Sequence, residues 1–106
     1  MFTPTSLVSG KEIPNAAEDV RSAKRIEQYR VSRSALYIPC GLRWNYIPLS
    51  EIRTAEASHR VVSAGHCVTV DLHRPTVEVT TLDGGRTVLN LEKDTGMQAL
   101  IEALRQ

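Results

Sequence analysis

Three histidines, two cysteines and an aspartate supply the residue types from which this chain could build reactive chemistry: His59, His66, His73, Cys40, Cys67 and Asp71. Structural zinc sites present close ligand pairs such as Cys-x-x-Cys or His-x3-His, and no such pair occurs in the sequence. His66 and Cys67 are adjacent, and adjacent residues of a strand point to opposite faces. Asp71 and His73 stand two apart and share one face of an alternating strand, so they can touch. An acid–base pair still needs a nucleophile and a pocket. Ser58 and Ser63 lie in no strand–turn–helix elbow, and Gly-x-Ser-x-Gly is absent. Gly84 and Gly85 precede a strand and not a helix, so they make a turn and not a phosphate cradle. Surface histidines and buried thiols account for the set. A small hydrolase using His73 and Asp71 ranks last among the functions weighed, no catalytic residue, metal ligand or cofactor is assigned, and the chain reads as a non-enzyme.

Arg43, Arg53, Arg60 and Arg74 are the arginines expected to face outward, as a patch for an acidic partner or a phosphate. Glu51, Glu56 and Glu78 are interleaved with them, and scattered arginines usually form a solvated face. The formal charge is +1, from 13 basic and 12 acidic residues, so no overall field favours nucleic acid or an anionic membrane. Nucleic-acid binding needs clustered basic charge with stacking aromatics, and Trp44 and Tyr46 share a parity expected to point inward. No apolar run approaches the roughly 20 residues of a membrane span. Met1 to Asn15 lacks the basic start and apolar centre of a signal peptide. A cytoplasmic protein is expected, in which Cys40 and Cys67 read as two small buried hydrophobes.

The elements that must position these residues follow from periodicity. At 106 residues the chain reads as one domain, an N-terminal arm over 1–15 and a folded body over 16–106. Phe2 and Leu7 are the expected anchors of the arm, on its own domain or on a neighbouring copy. A short helix is expected over 16–25, with Asn15 as N-cap, Glu18 and Asp19 in the first turn, and Lys24 and Arg25 in the last. From Ile26 to Leu91 the period is two, which predicts about seven short strands. The alternation is cleanest at Val68, Val70 and Leu72, while the polar stretch Arg53–Val62 reads as an edge strand. Asp83-Gly84-Gly85 marks a hairpin. A helix over 95–105 closes the chain, with Thr95 and Gln98 at capping-box spacing and an apolar stripe of Met97, Leu100, Ile101 and Leu104. The class is mainly β with α (α+β), an antiparallel meander with a terminal helix.

Tyr46-Ile47-Pro48-Leu49-Ser50-Glu51-Ile52, an Ile-Pro-x-x-x-Ile corner after a Trp/Tyr strand, together with the order hairpin, strand, final helix, resembles a bacterial pleckstrin-homology-like domain. The resemblance implies a PH-like barrel of two antiparallel sheets plugged by the C-terminal helix. It also implies a binding or assembly module acting through protein contacts, including contacts with other copies of itself. Classical eukaryotic members carry a tryptophan in the final helix, whereas the one tryptophan here, Trp44, falls in a strand. Arg30 and Arg33 flank a turn too tight to surround a lipid headgroup, so no headgroup-binding residue is assigned. The alternative function is a peripheral membrane or phosphate-ligand module using the surface arginines.

Overall fold

The structure is a computed structural model that describes residues 3–58 and 75–105. In chain order these form β1 (Thr5–Ser6), α1 (Ala16–Ser22), β2 (Lys24–Ile26), β3 (Tyr29–Val31), β4 (Ala35–Cys40), β5 (Arg43–Pro48), a 3-10 turn (Leu49–Glu51), β6 (Ile52–Ser58), β7 (Thr76–Thr81), β8 (Arg86–Asn90) and α2 (Asp94–Leu104). Five strands make one sheet in the order β1-β5-β4-β3-β2, and three make a second in the order β6-β7-β8. The α+β class, the two sheets and the closing helix stand as expected. Among the described residues the two sheets remain separate and close no barrel. The strand expected at Val68–His73 lies outside those residues.

The larger sheet buries both of its faces. In the β4–β5 ladder Leu36 opposes Ile47 and Tyr37 opposes Tyr46, and successive residues of a strand point to opposite sides. Leu36 and Ile47 join Val77, Val79, Leu89 and Leu91 in the main core. Ala35, Tyr37 and Tyr46 form a second cluster, closed by Ala16 and Val20 of α1. This is why β4 reads as a nearly unbroken apolar run with no marked inward face.

The terminal stripe seats on the main core: Met97, Leu100 and Leu104 are buried, and Ile101 packs beside them half-buried. The start of α2 corrects the capping expectation. Lys93 is the N-cap and makes no side-chain cap, so Thr95 lies inside the first turn and no Thr95–Gln98 box forms. The helix entrance is fixed from across the chain instead. The Glu27 carboxylate accepts the N–H groups of Glu92 (2.6 Å) and Lys93 (3.2 Å). Gln28 and Tyr29 add bonds to the Asn90 carbonyl, at 2.8 and 3.0 Å.

Helix α1 also ends early. Ala23 is extended, and Lys24 and Arg25 enter β2, where they pair with Val31 and Arg30. Strand pairing removes them from the helical last turn. Asn15 holds the N-cap position in a left-handed conformation (φ 56°) without a side-chain bond. The arm belongs to its own domain, because β1 pairs in parallel with β5, Thr5 against Asn45 and Ser6 against Tyr46. Leu7 is not its anchor. Its N–H bonds to the Tyr46 carbonyl while its side chain is 48% exposed, and the buried residues are Pro4 and Val8. Phe2 lies outside the described residues.

Candidate interaction groove

Strand β6 is an edge of the smaller sheet. It pairs with β7 on one side, and among the described residues no strand pairs on the other. Its ladder carries a bulge: Ile52 opposes Thr81 and Thr54 opposes Thr80, which leaves Arg53 with no partner residue on β7. Such a bulge turns a side chain out of the regular alternation. Beyond it, Ala55 and Ala57 oppose the core residues Val79 and Val77, and Thr54 and Glu56 occupy the other face.

The C-terminal turn of α2 runs beside this edge. Between them lies a groove of about 400 Å³, lined by Leu49, Ile52, Ala55 and Leu104 below and by Arg53, Thr54, Glu56 and Arg105 at the rim. The floor residues are buried or half-buried and the rim residues are exposed. An apolar floor under a polar rim is the general anatomy of a recognition site. Neither Arg53 nor Arg105 forms an ion pair among the described residues. Two guanidinium groups, five N–H donors each, therefore stand available at one end of a sheet edge.

A larger cleft, about 520 Å³, lies where α1, the β3–β4 turn and α2 meet, with Asp19, Lys24, Ser32, Arg33 and Glu102 among its lining. Both of its serines are engaged, Ser22 Oγ donating to the Asp19 carbonyl (3.2 Å). Ser32 Oγ accepts the N–H groups of Ser34 (3.0 Å) and Ala35 (3.1 Å) and donates to Asp19 Oδ2. One proton and two lone pairs are thereby used. Asp19 Oδ2 also takes the hydroxyl of buried Tyr37. Burial, followed by the hydrogen bond and charge of Asp19, pushes the Tyr37 phenol far above its ordinary value. Arg30 completes the bracing of α1, donating to the Val20 carbonyl (3.1 Å) with its guanidinium 5.1 Å over the Trp44 ring. These groups hold α1 on the sheet.

Of the four arginines singled out from sequence, two fall among the described residues, on different strands. Arg43 opens β5 after the Gly41-Leu42 hairpin, Arg53 occupies the β6 bulge, and Arg60 and Arg74 lie outside the described residues. So do the three histidines, Cys67 and Asp71. Cys40 is exposed and free. Among the described residues no group of His, Cys, Asp or Glu is placed to hold a metal ion, and no helix is long and apolar enough to cross a membrane. The sequence places Arg105 on the wet side of the final helix but marks it as no part of a site. Its signal, a cation one residue past the apolar stripe, reads as an ordinary helix C-terminal charge.

Compared with protein-family models, curated proteins and solved structures, the chain matches none. The site is therefore judged on its geometry. The groove differs from the larger cleft in one respect that matters for function: it borders a strand that, among the described residues, is paired on one side only.

Proposed function

We propose that this chain is a non-enzymatic binding module of pleckstrin-homology-like type, which takes an extended segment of another protein as an added strand on β6. The carrying observation is the β6 edge, which among the described residues pairs with β7 alone and lies beside an apolar-floored groove. An extended peptide added to a sheet edge gains affinity from main-chain hydrogen bonds and specificity from pockets for alternate side chains. The 3-10 corner at Leu49–Glu51 and the helix seated on the core support the family likeness. Exposed sheet edges are commonly blunted by charge or by a bulge. Here the bulge sits at the Arg53 end and leaves Thr54–Ser58 in regular register.

The test is selection of a random twelve-residue peptide display library against the immobilised protein, followed by amide hydrogen exchange with a selected peptide. Slowed exchange within Thr54–Ser58 is expected. A footprint elsewhere, or no enrichment over an unrelated folded control, overturns the reading. Attachment to an anionic membrane is the second reading, drawing on Leu42, which is 91% exposed beside Arg43. Salt-sensitive co-sedimentation with anionic vesicles would favour it over the first.

A further inference from the structure

The geometry points to an acidic extended segment as the occupant of the β6 groove, its carboxylate held between Arg53 and Arg105; this rests on the edge-addition reading above. The two arginines come from different elements, the β6 bulge and the residue that follows α2, and line one groove. Both are exposed and neither has an anionic partner among the described residues. Glu56, three residues along β6 from Arg53, lines the same groove, about 10 Å away at the rise of a strand. The rim is thus positive at one end and negative further along.

That polarity restricts the occupant. A segment lying along β6 meets Arg53 and Arg105 with its acidic residue, and a second acid about three positions along would face Glu56 and be disfavoured. Arginine suits this task because its planar fork takes a carboxylate through two parallel hydrogen bonds. A second copy of the chain offering its β2 edge fits poorly, since β2 begins Lys24-Arg25 and would bring like charge to the arginines. The apolar floor, Leu49, Ile52, Ala55 and Leu104, takes an aliphatic side chain neighbouring the acid.

The experiment is the same peptide selection run in parallel on the wild type and on Arg53→Gln/Arg105→Gln, with both pools sequenced. The wild-type pool should be enriched in Asp or Glu at one position, and the variant pool should lose that bias while its peptides still protect β6. Affinity of a selected acidic peptide should fall about twofold to thirtyfold in the double variant, the range for two exposed ion pairs. An unbiased wild-type pool that protects β6, or a bias that survives in the variant, overturns the acidic preference and leaves edge addition standing. Peptides that bind without protecting β6 overturn edge addition itself. Both arginines are exposed, so the variant should melt with the wild type, and thermal denaturation checks that it is folded.

Discussion

Gly96→Ala should destabilise this protein, although helix propensity taken alone says the reverse. Replacing an interior helical glycine by alanine stabilises by about 1 kcal/mol. At Gly96, however, a Cβ would stand 2.0 Å from Glu27 Oε2 and 2.8 Å from Glu27 Cδ. The carboxylate must swing aside, and with it go the bonds from the Glu92 and Lys93 N–H groups. Losing these charge-assisted bonds costs about 1.5–3 kcal/mol, which outweighs the propensity gain of about 1 kcal/mol and leaves a net loss of about 0.5–2 kcal/mol. Glu27→Ala removes the obstruction. It keeps a Cβ at a residue whose φ is 53°, so backbone strain there is unchanged. In that background Gly96→Ala should stabilise by about 0.5–1 kcal/mol, and the double-mutant cycle should show coupling of about 1–3 kcal/mol. Urea denaturation of the four proteins measures this. Additive single effects, or a stabilising Gly96→Ala in the wild type, would refute the cross-chain cap.

Other outcomes follow from the same structure. Leu100, fully buried in the main core, should cost about 2–5 kcal/mol on truncation to Ala, read as a lowered urea midpoint, and a loss below 1 kcal/mol would mean that α2 does not seat as described. The Tyr37 phenol is held protonated in the fold, whereas the unfolded chain ionises it near pH 10. Stability from this group is therefore complete below that pH and lost as pH rises above it. Tyr37→Phe should flatten part of the decline in denaturation midpoint above about pH 10. Asp83 behaves oppositely, because bonds from the Thr81 hydroxyl and the Gly85 N–H stabilise its carboxylate and lower its pKa from the ordinary 3.8. Its contribution is present above that value and fades as pH falls through the lowered one, so Asp83→Asn should narrow the stability difference between neutral and acid pH.

Much of the fold could be read from residue order, because strong periodicity overrides local detail. The 97-100-101-104 stripe does face the core, and Asp83-Gly84-Gly85 does turn β7 into β8, with Gly84 at φ 89°. The failures have physical causes. Thr95 and Gln98 have the right spacing for a cap, but Glu27 reaches the helix entrance from 65 residues away in sequence, which no local rule can see. Lys24 and Arg25 suit a helix end, yet a β3 strand waits to pair with them. Leu7 is the larger apolar residue, but pairing of its backbone with β5 turns Val8 inward instead. The groove was half legible: polarity marked β6 as an edge, while the approach of Arg105 depends on how α2 crosses the smaller sheet.

The most direct measurement is a backbone-resolved NMR spectrum of the protein bound to a selected acidic peptide. Cross-strand proton contacts between the peptide and Thr54–Ser58, with the peptide's acidic side chain close to Arg53 and Arg105, are predicted. Peptide contacts confined to the Gly41-Leu42 hairpin or to the Asp19–Glu102 cleft would contradict it.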